Sequence, residues 1–246
     1  MKIKQTSVNA EDMEKMLAVS PYNRIALEDI EPIGKVSMFD TTLRDGEQAP
    51  GIALSPEDKV RIATALDDLG VNAIEAGFAA SSEAERETLR IIMDGSLDAD
   101  VYSLARSVRT DIDAVIDTGL DHIHTFIATS DLHMKYKLKM TPEQVKERAV
   151  DTVQYAKDHG LTVQFSCEDA TRSDMDFMKE VLAAVQEAGV DSVNIPDTVG
   201  VITPRAMSYV ISEIRKVVKV PISVHCHNDL GLALPNTIAA VESAWQ

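Results

Sequence analysis

A (β/α)8 barrel lacking its eighth unit is the fold the sequence predicts, on three observations. After about residue 35 the chain alternates short β-branched runs with amphipathic, charged stretches, the texture of a parallel sheet with crossover helices. Three strands are introduced by related phrases, "DLGVNAIEAG", "DTGLDHIHTF" and "EAGVDSVNIP", in which a glycine ends a helix and a short turn feeds the next strand. No glycine-rich phosphate fingerprint follows the first strand, which weighs against the alternative, a doubly wound dinucleotide-binding sheet.

Strands are expected near 36–39, 73–76, 101–104, 122–127, 162–166, 192–195 and 222–225, with helices near 56–69, 82–93, 110–117, 142–159, 175–188, 204–218 and 232–244. Two helices announce their starts. Ser55-Pro56-Glu57-Asp58 and Thr141-Pro142-Glu143-Gln144 each place a cap before a proline and a carboxylate in the first turn. These are seven β–α units; the eighth strand and a C-terminal region are expected to be missing. Residues 1–35 read as an N-terminal extension, weakly helical near 10–18, packing over the barrel bottom or a partner chain. Residues 36–246 read as the barrel domain.

Composition narrows the function. Aromatic residues make up 4% of a chain that is 45% hydrophobic, so aliphatic side chains must build the core. No apolar run approaches the roughly 20 residues of a membrane helix, and "MKIKQTSVNAEDMEKM" lacks the apolar stretch of a signal peptide. A cytoplasmic protein is expected. A net charge of −16 opposes nucleic acid and anionic membranes as partners, while a local pocket can still take a small anion. The dense basic run Lys135-Tyr136-Lys137-Leu138-Lys139 reads as a solvated loop or an anion contact. Cys167 and Cys226 form no disulfide framework.

In a barrel the site lies at the C-terminal ends of the strands. There the first strand runs into "FDTTLRDGEQAPG", the second ends in Glu75, the fourth carries His122 and His124, the fifth ends in Ser166-Cys167-Glu168, the sixth in Asn194 and Thr198, and the seventh in "SVHCHND". Alternation puts His225 and His227 on one face of their strand and Cys226 on the other, and likewise Ser166 and Glu168 against Cys167. The cysteines then face the helices as small hydrophobes. Closure of the barrel would bring Asp45 to His225 and His227, one carboxylate and two imidazoles able to hold Mg²⁺, Mn²⁺, Zn²⁺ or Co²⁺. Arg44 beside them would offer a fixed charge to an oxyanion. Glu168 is a candidate for proton transfer, or else a structural ion pair with Arg172.

Together "FDTTLRDGEQAPG", "IEAGF", "IHTFIATS", "FSCEDATR", "NIPDTVG" and "SVHCHNDLGLALPN" resemble the metal-dependent barrel synthases that condense acetyl-CoA with 2-oxo acids, the 2-isopropylmalate, citramalate and homocitrate synthase family. The match runs from about residue 36 to the end. The resemblance implies that Asp45, His225 and His227 hold the divalent metal, which chelates the carboxylate and keto oxygen of the 2-oxo acid. It implies that Arg44 neutralises the developing alkoxide. Thr198, with His124, Ser166 and Asn194, would bind the substrate carboxylate, and Glu168 would position or deprotonate. Acetyl-CoA is the implied co-substrate and a homodimer the implied assembly. Asp45, where many homocitrate synthases carry glutamate, favours the isopropylmalate or citramalate branch, with 2-oxoisovalerate the leading substrate. The sequence departs from the family pattern in having no eighth strand, whose asparagine would complete the metal shell. Two other readings stand beside this one: a metal-dependent lyase or aldolase on the same barrel, and a non-catalytic fragment that binds a partner through its open edge.

Overall fold

A computed structural model of the chain describes residues 34–243 without a break, and before them only Ser20, Tyr22 and Ile25. The extension expected over 1–35, including its helix near 10–18, thus lies almost wholly outside the described residues. The backbone divides into two units, Met1–Gly34 and Lys35–Gln246, and every element below belongs to the second.

Seven parallel strands run in sequence order through one sheet: β1 (Phe39–Asp40), β2 (Ala73–Gly77), β3 (Asp100–Arg106), β4 (His122–Ala128), β5 (Thr162–Glu168), β6 (Ser192–Asp197) and β7 (Ile222–Cys226). Each is followed by a helix: α1 (Pro56–Leu69), α2 (Glu83–Asp94), α3 (Arg109–Ile116), α4 (Pro142–Asp158), α5 (Met175–Glu187), α6 (Pro204–Arg215) and α7 (Ala233–Ser243). This is the predicted barrel order with seven units. β1 and β7 are the two edges. Among the described residues no helix is long and apolar enough to cross a membrane.

The helix starts form as their sequences require. Ser55 Oγ accepts the Asp58 N–H at 3.1 Å, and Thr141 and Gln144 form a reciprocal capping box. Gly70, Gly119 and Gly189, the glycines of the three related phrases, all adopt the left-handed conformation that ends a helix. The first strand is shorter than its β-branched run suggested. Val36 and Met38 are exposed, and pairing is confined to Phe39 with Ala73 and Asp40 with Ile74, because an edge strand has a partner on one side only.

Strand parity sorts the side chains. Ile74, Ile123, Val163, Phe165, Val193 and Ile195 face the helices and join Leu89, Ile92, Ile112, Val153, Met178, Leu182 and Ile211 in one buried core. Cys167 belongs to that core; burial pushes its thiol up to about 12, so it stays a protonated hydrophobe. Cys226 is half-buried against the same core, its thiol also raised by burial. The opposite parity lines the barrel. At the N-terminal end of the strands a cavity of about 610 Å³ opens among residues including Phe39, Tyr102, Gln164, Ile222 and Val224; it contains none of the candidate site residues. The polar cluster lies at the other end.

Candidate functional site

Local backbone geometry first brings Arg44 and Asp45 forward. Directly after β1, Thr42–Gly46 winds into one wide helical turn, with the Thr41 carbonyl accepting the N–H groups of Arg44, Asp45 and Gly46 at 3.1, 2.8 and 3.2 Å. Turns of this π type recur at functional positions. Leu43 is buried and anchors the turn. Arg44 then lies between two carboxylates, its Nε donating to Glu75 Oε2 at 2.5 Å and its Nη1 to Asp45 Oδ1 at 2.6 Å.

The two ends of the sheet meet at Asp45. Its Oδ2 lies 3.6 Å from His225 Nε2 and 4.0 Å from His227 Nε2. The two rings stack with centroids 4.8 Å apart. One donor atom from each of Asp45, His225 and His227 falls within 4.8 Å of the others, so a small inward movement of the side chains would let one cation take all three at bonds of about 2.0–2.2 Å. At 3.6 Å the imidazole of His225 is beyond ordinary hydrogen-bond length yet close enough to favour the ionised carboxylate. With Arg44 and His227 it outweighs the opposing effect of burial and holds Asp45 at about 2. The donor set, an ionised carboxylate and two imidazoles, fits a divalent ion.

A buried hydrogen-bonded row forms the other wall. Glu75 Oε1 meets His124 Nδ1 at 2.6 Å, His124 Nε2 meets Ser166 Oγ at 2.6 Å, and Asn194 Nδ2 donates to Ser166 Oγ at 2.7 Å. Asn194 Oδ1 has no hydrogen-bond partner among the described residues, which leaves one polar valence of the row open. Glu75 is 0% exposed. Burial alone would raise its pKa, but His124 and Arg44 together bring it below the ordinary carboxylate value.

The mouth is closed by loops after β5 and β6. Asp169 takes a positive φ of 64°, and its N–H donates to Thr198 Oγ1 at 2.9 Å, so Thr198 is placed by the β5 loop. The alternative expected for Glu168 is not observed. Arg172 binds Asp169 through two hydrogen bonds of 2.7 and 2.8 Å, because the left-handed turn at Asp169 brings that carboxylate under the guanidinium. Glu168 instead receives Lys137 Nζ on both oxygens, at 2.6 and 2.8 Å. The basic run is therefore neither wholly solvated nor wholly free for anions: its central lysine is engaged at the mouth, while Lys135 lies over the Tyr136 ring.

All nine expected residues lie on the C-terminal side of the sheet. Asp45, His225 and His227 converge, Arg44 adjoins them, and His124, Ser166 and Asn194 form the row; Glu168 ends β5 and Thr198 stands in the loop after β6. Glu75, which ties Arg44 to the row, was not among the expected site residues. Its signal was present: in "AIEAG" the neighbours Ile74 and Ala76 face the helices, and alternation turns Glu75 toward the barrel interior.

A family model described as HMGL-like matches residues 35–245. The chain is 56% identical over 218 residues to a 2-isopropylmalate synthase of Methanocaldococcus jannaschii, covering 89% of this chain and 42% of that protein. It is 56% identical to a 2-isopropylmalate synthase of Sulfolobus acidocaldarius, with 84% and 54% covered, and 51% identical to a homocitrate synthase of Methanopyrus kandleri, with 92% and 57% covered. The chain thus spans about half the length of these relatives. Among solved structures, a Bacillus subtilis HMG-CoA lyase superposes with a TM-score of 0.75 at 18% identity, covering 87% of this chain and 76% of that one. Identity that low establishes the shared fold alone.

Proposed function

The chain belongs to the HMGL-like family, and from that premise we propose that it carries the site of an acyltransferase joining acetyl-CoA to a 2-oxo acid. 2-Oxoisovalerate, giving 2-isopropylmalate on the way to leucine, is the substrate we favour; citramalate or homocitrate formation is the alternative. The observation that carries this reading is the convergence of Asp45, His225 and His227 beside Arg44. Preference for a synthase over a lyase on the same barrel rests on the high identity to the synthase relatives.

In this reading Asp45, His225 and His227 hold a divalent ion, Mg²⁺, Mn²⁺ or Zn²⁺, which when bound supplies a Lewis acid for the keto group. The acetyl methyl carbon loses a proton and bonds to the keto carbon, so negative charge gathers on one oxygen. Arg44 is a fixed positive charge for that oxygen, oriented by Glu75 and Asp45 before substrate arrives. His124, Ser166 and Asn194, with Thr198, receive the substrate carboxylate. Glu168 orients the acetyl group or takes its proton, with Lys137 Nζ held against both its oxygens. Water then cleaves the thioester and releases CoA. We extend the reading to a cytoplasmic homodimer, which sedimentation velocity tests.

The test of the site is thermal unfolding with and without Mn²⁺. Wild type is expected to gain stability on adding the ion, about 2.7 kcal/mol at a hundredfold excess over Kd, and Asp45→Ala and His225→Ala to gain none. A further rise with 2-oxoisovalerate larger than with pyruvate or 2-oxoglutarate would support the favoured substrate. An equal Mn²⁺ effect in the variants would overturn the assignment.

A further inference from the structure

We propose that Lys59, clamped between Glu47 and Glu85, is a positioning residue for the Arg44–Asp45 end of the site. The proposal deepens the functional reading above and rests on it for the identity of that end. Lys59 acts through Glu47, two residues beyond Asp45.

The location of Lys59 is costly on its own. It stands in the first turn of α1, near the positive end of the helix dipole, and is 3% exposed. Both facts disfavour an ammonium. Two carboxylates offset them: Nζ lies 2.6 Å from Glu47 Oε2 and 2.9 and 2.8 Å from the two oxygens of Glu85. Burial by itself would lower the Lys59 pKa, and the hydrogen bonds from Glu47 and Glu85 more than reverse that. A buried ion group of this kind commonly adds little stability over a well-packed apolar replacement. What it does fix is geometry, because each carboxylate is also tied to backbone.

Glu47 Oε1 accepts the Leu54 N–H at 3.2 Å, closing the loop that leads from the Arg44–Asp45 turn into α1. Glu85 Oε1 accepts the Phe78 N–H at 3.2 Å, just past the end of β2. The carboxylate of Glu85 lies against the Cα of Gly77, where an added Cβ would fall 1.9 Å from Oε1; only glycine admits it there. Gly77 is two residues from Glu75, the residue that grips Arg44 from inside. The loop is therefore fastened to the end of β2 twice, by Arg44–Glu75 toward the barrel and by Glu47–Lys59–Glu85 toward the helices. The Arg44–Asp45 pair sits between the two fastenings.

The experiment uses the full chain and reads hydrogen exchange over residues 41–54, then Mn²⁺ affinity by electron paramagnetic resonance. Lys59→Met should speed exchange in that loop about tenfold and weaken Mn²⁺ binding by about 10–100-fold, the range seen when supports of metal ligands are removed. Lys59→Arg should recover part of both. Val185→Ala, a cavity in α5 within the buried core, serves as a destabilised control and should change neither. Unchanged loop exchange in Lys59→Met, or an equal change in Val185→Ala, would overturn the proposal. Should Lys59→Met not fold, Glu47→Gln is read in the same way, since its amide oxygen can keep the Leu54 bond while the charge is lost. If wild type itself fails to bind Mn²⁺, the metal reading falls, and loop exchange alone decides the role of Lys59.

Discussion

The two walls of the barrel mouth are built on opposite rules. On β2, β4, β5 and β6, Glu75, His124, Ser166 and Asn194 are buried and bonded to one another at 2.6–2.7 Å. On the two edges, Asp45, His225 and His227 are half-exposed and approach one another only to 3.6–4.0 Å. The first wall is bonded internally at every link, with Asn194 Oδ1 alone left open, so its geometry does not depend on a bound group. The second leaves one donor atom of each residue within 4.8 Å of the others, and in the proposed reading a cation completes it. A rigid polar row facing an open donor set is what preorganised electrostatic catalysis requires: fixed dipoles on one side, an exchangeable charge on the other.

The largest expected effect breaks the first wall. Glu75→Ala would leave the Arg44 guanidinium and His124 buried without their carboxylate, a loss of about 3–5 kcal/mol by analogy with broken buried pairs, read from urea midpoints at pH 7. The sign of the pH dependence follows from the lowered Glu75 pKa. Its contribution is complete above the ordinary value of 4.5 and disappears as pH falls through the lower folded-state value. Glu75→Gln should therefore be less stable than wild type at neutral pH, and the gap should narrow in acid. A gap that widens in acid would show that Glu75 is held protonated.

A smaller effect is expected on the second wall. With chelator present, His227→Ala should change stability by no more than about 1 kcal/mol, because this side chain is partly exposed and its nearest carboxylate lies 4.0 Å away. A loss near that of Glu75→Ala would erase the distinction between the walls. Metal sensitivity should separate them in the other direction, with the edge variants losing it and Glu75→Gln retaining most of it.

This asymmetry also governs how much could be read from sequence. The barrel order was legible because glycine-ended helices and β-branched runs are local signals, and Gly70, Gly119 and Gly189 adopt the conformations those signals require. The meeting of Asp45 with His225 and His227 was legible because the two histidines share strand parity and Asp45 follows the strand at the opposite edge. Glu75 and Lys59 were harder. Each owes its role to partners distant in sequence, Glu75 to Arg44 and His124, Lys59 to Glu85, and nothing local distinguishes a buried lysine in "PEDKVRIA" from a surface one. The partner of Glu168 was misjudged for the same reason. Arg172 is near in sequence, but the left-handed turn at Asp169 redirects it, and Lys137 arrives from the loop after β4.

That Lys137–Glu168 pair offers the finest test of the comparison, since it sits on the rim between the two walls. Lys137 is 49% exposed and Glu168 18%, so water screens the pair from one side. A double-mutant cycle of Lys137→Ala and Glu168→Ala should give a coupling of about 0.2–1 kcal/mol. It should shrink as salt is raised to 1 M, where the screening length falls to about 3 Å. A coupling that is larger and insensitive to salt would mean that the mouth excludes water here, and Glu168 would then belong to the rigid wall with Glu75. A weak, salt-dependent coupling leaves Lys137 free to move off the carboxylate when an anionic substrate enters, which is the behaviour a group that takes or positions a proton needs.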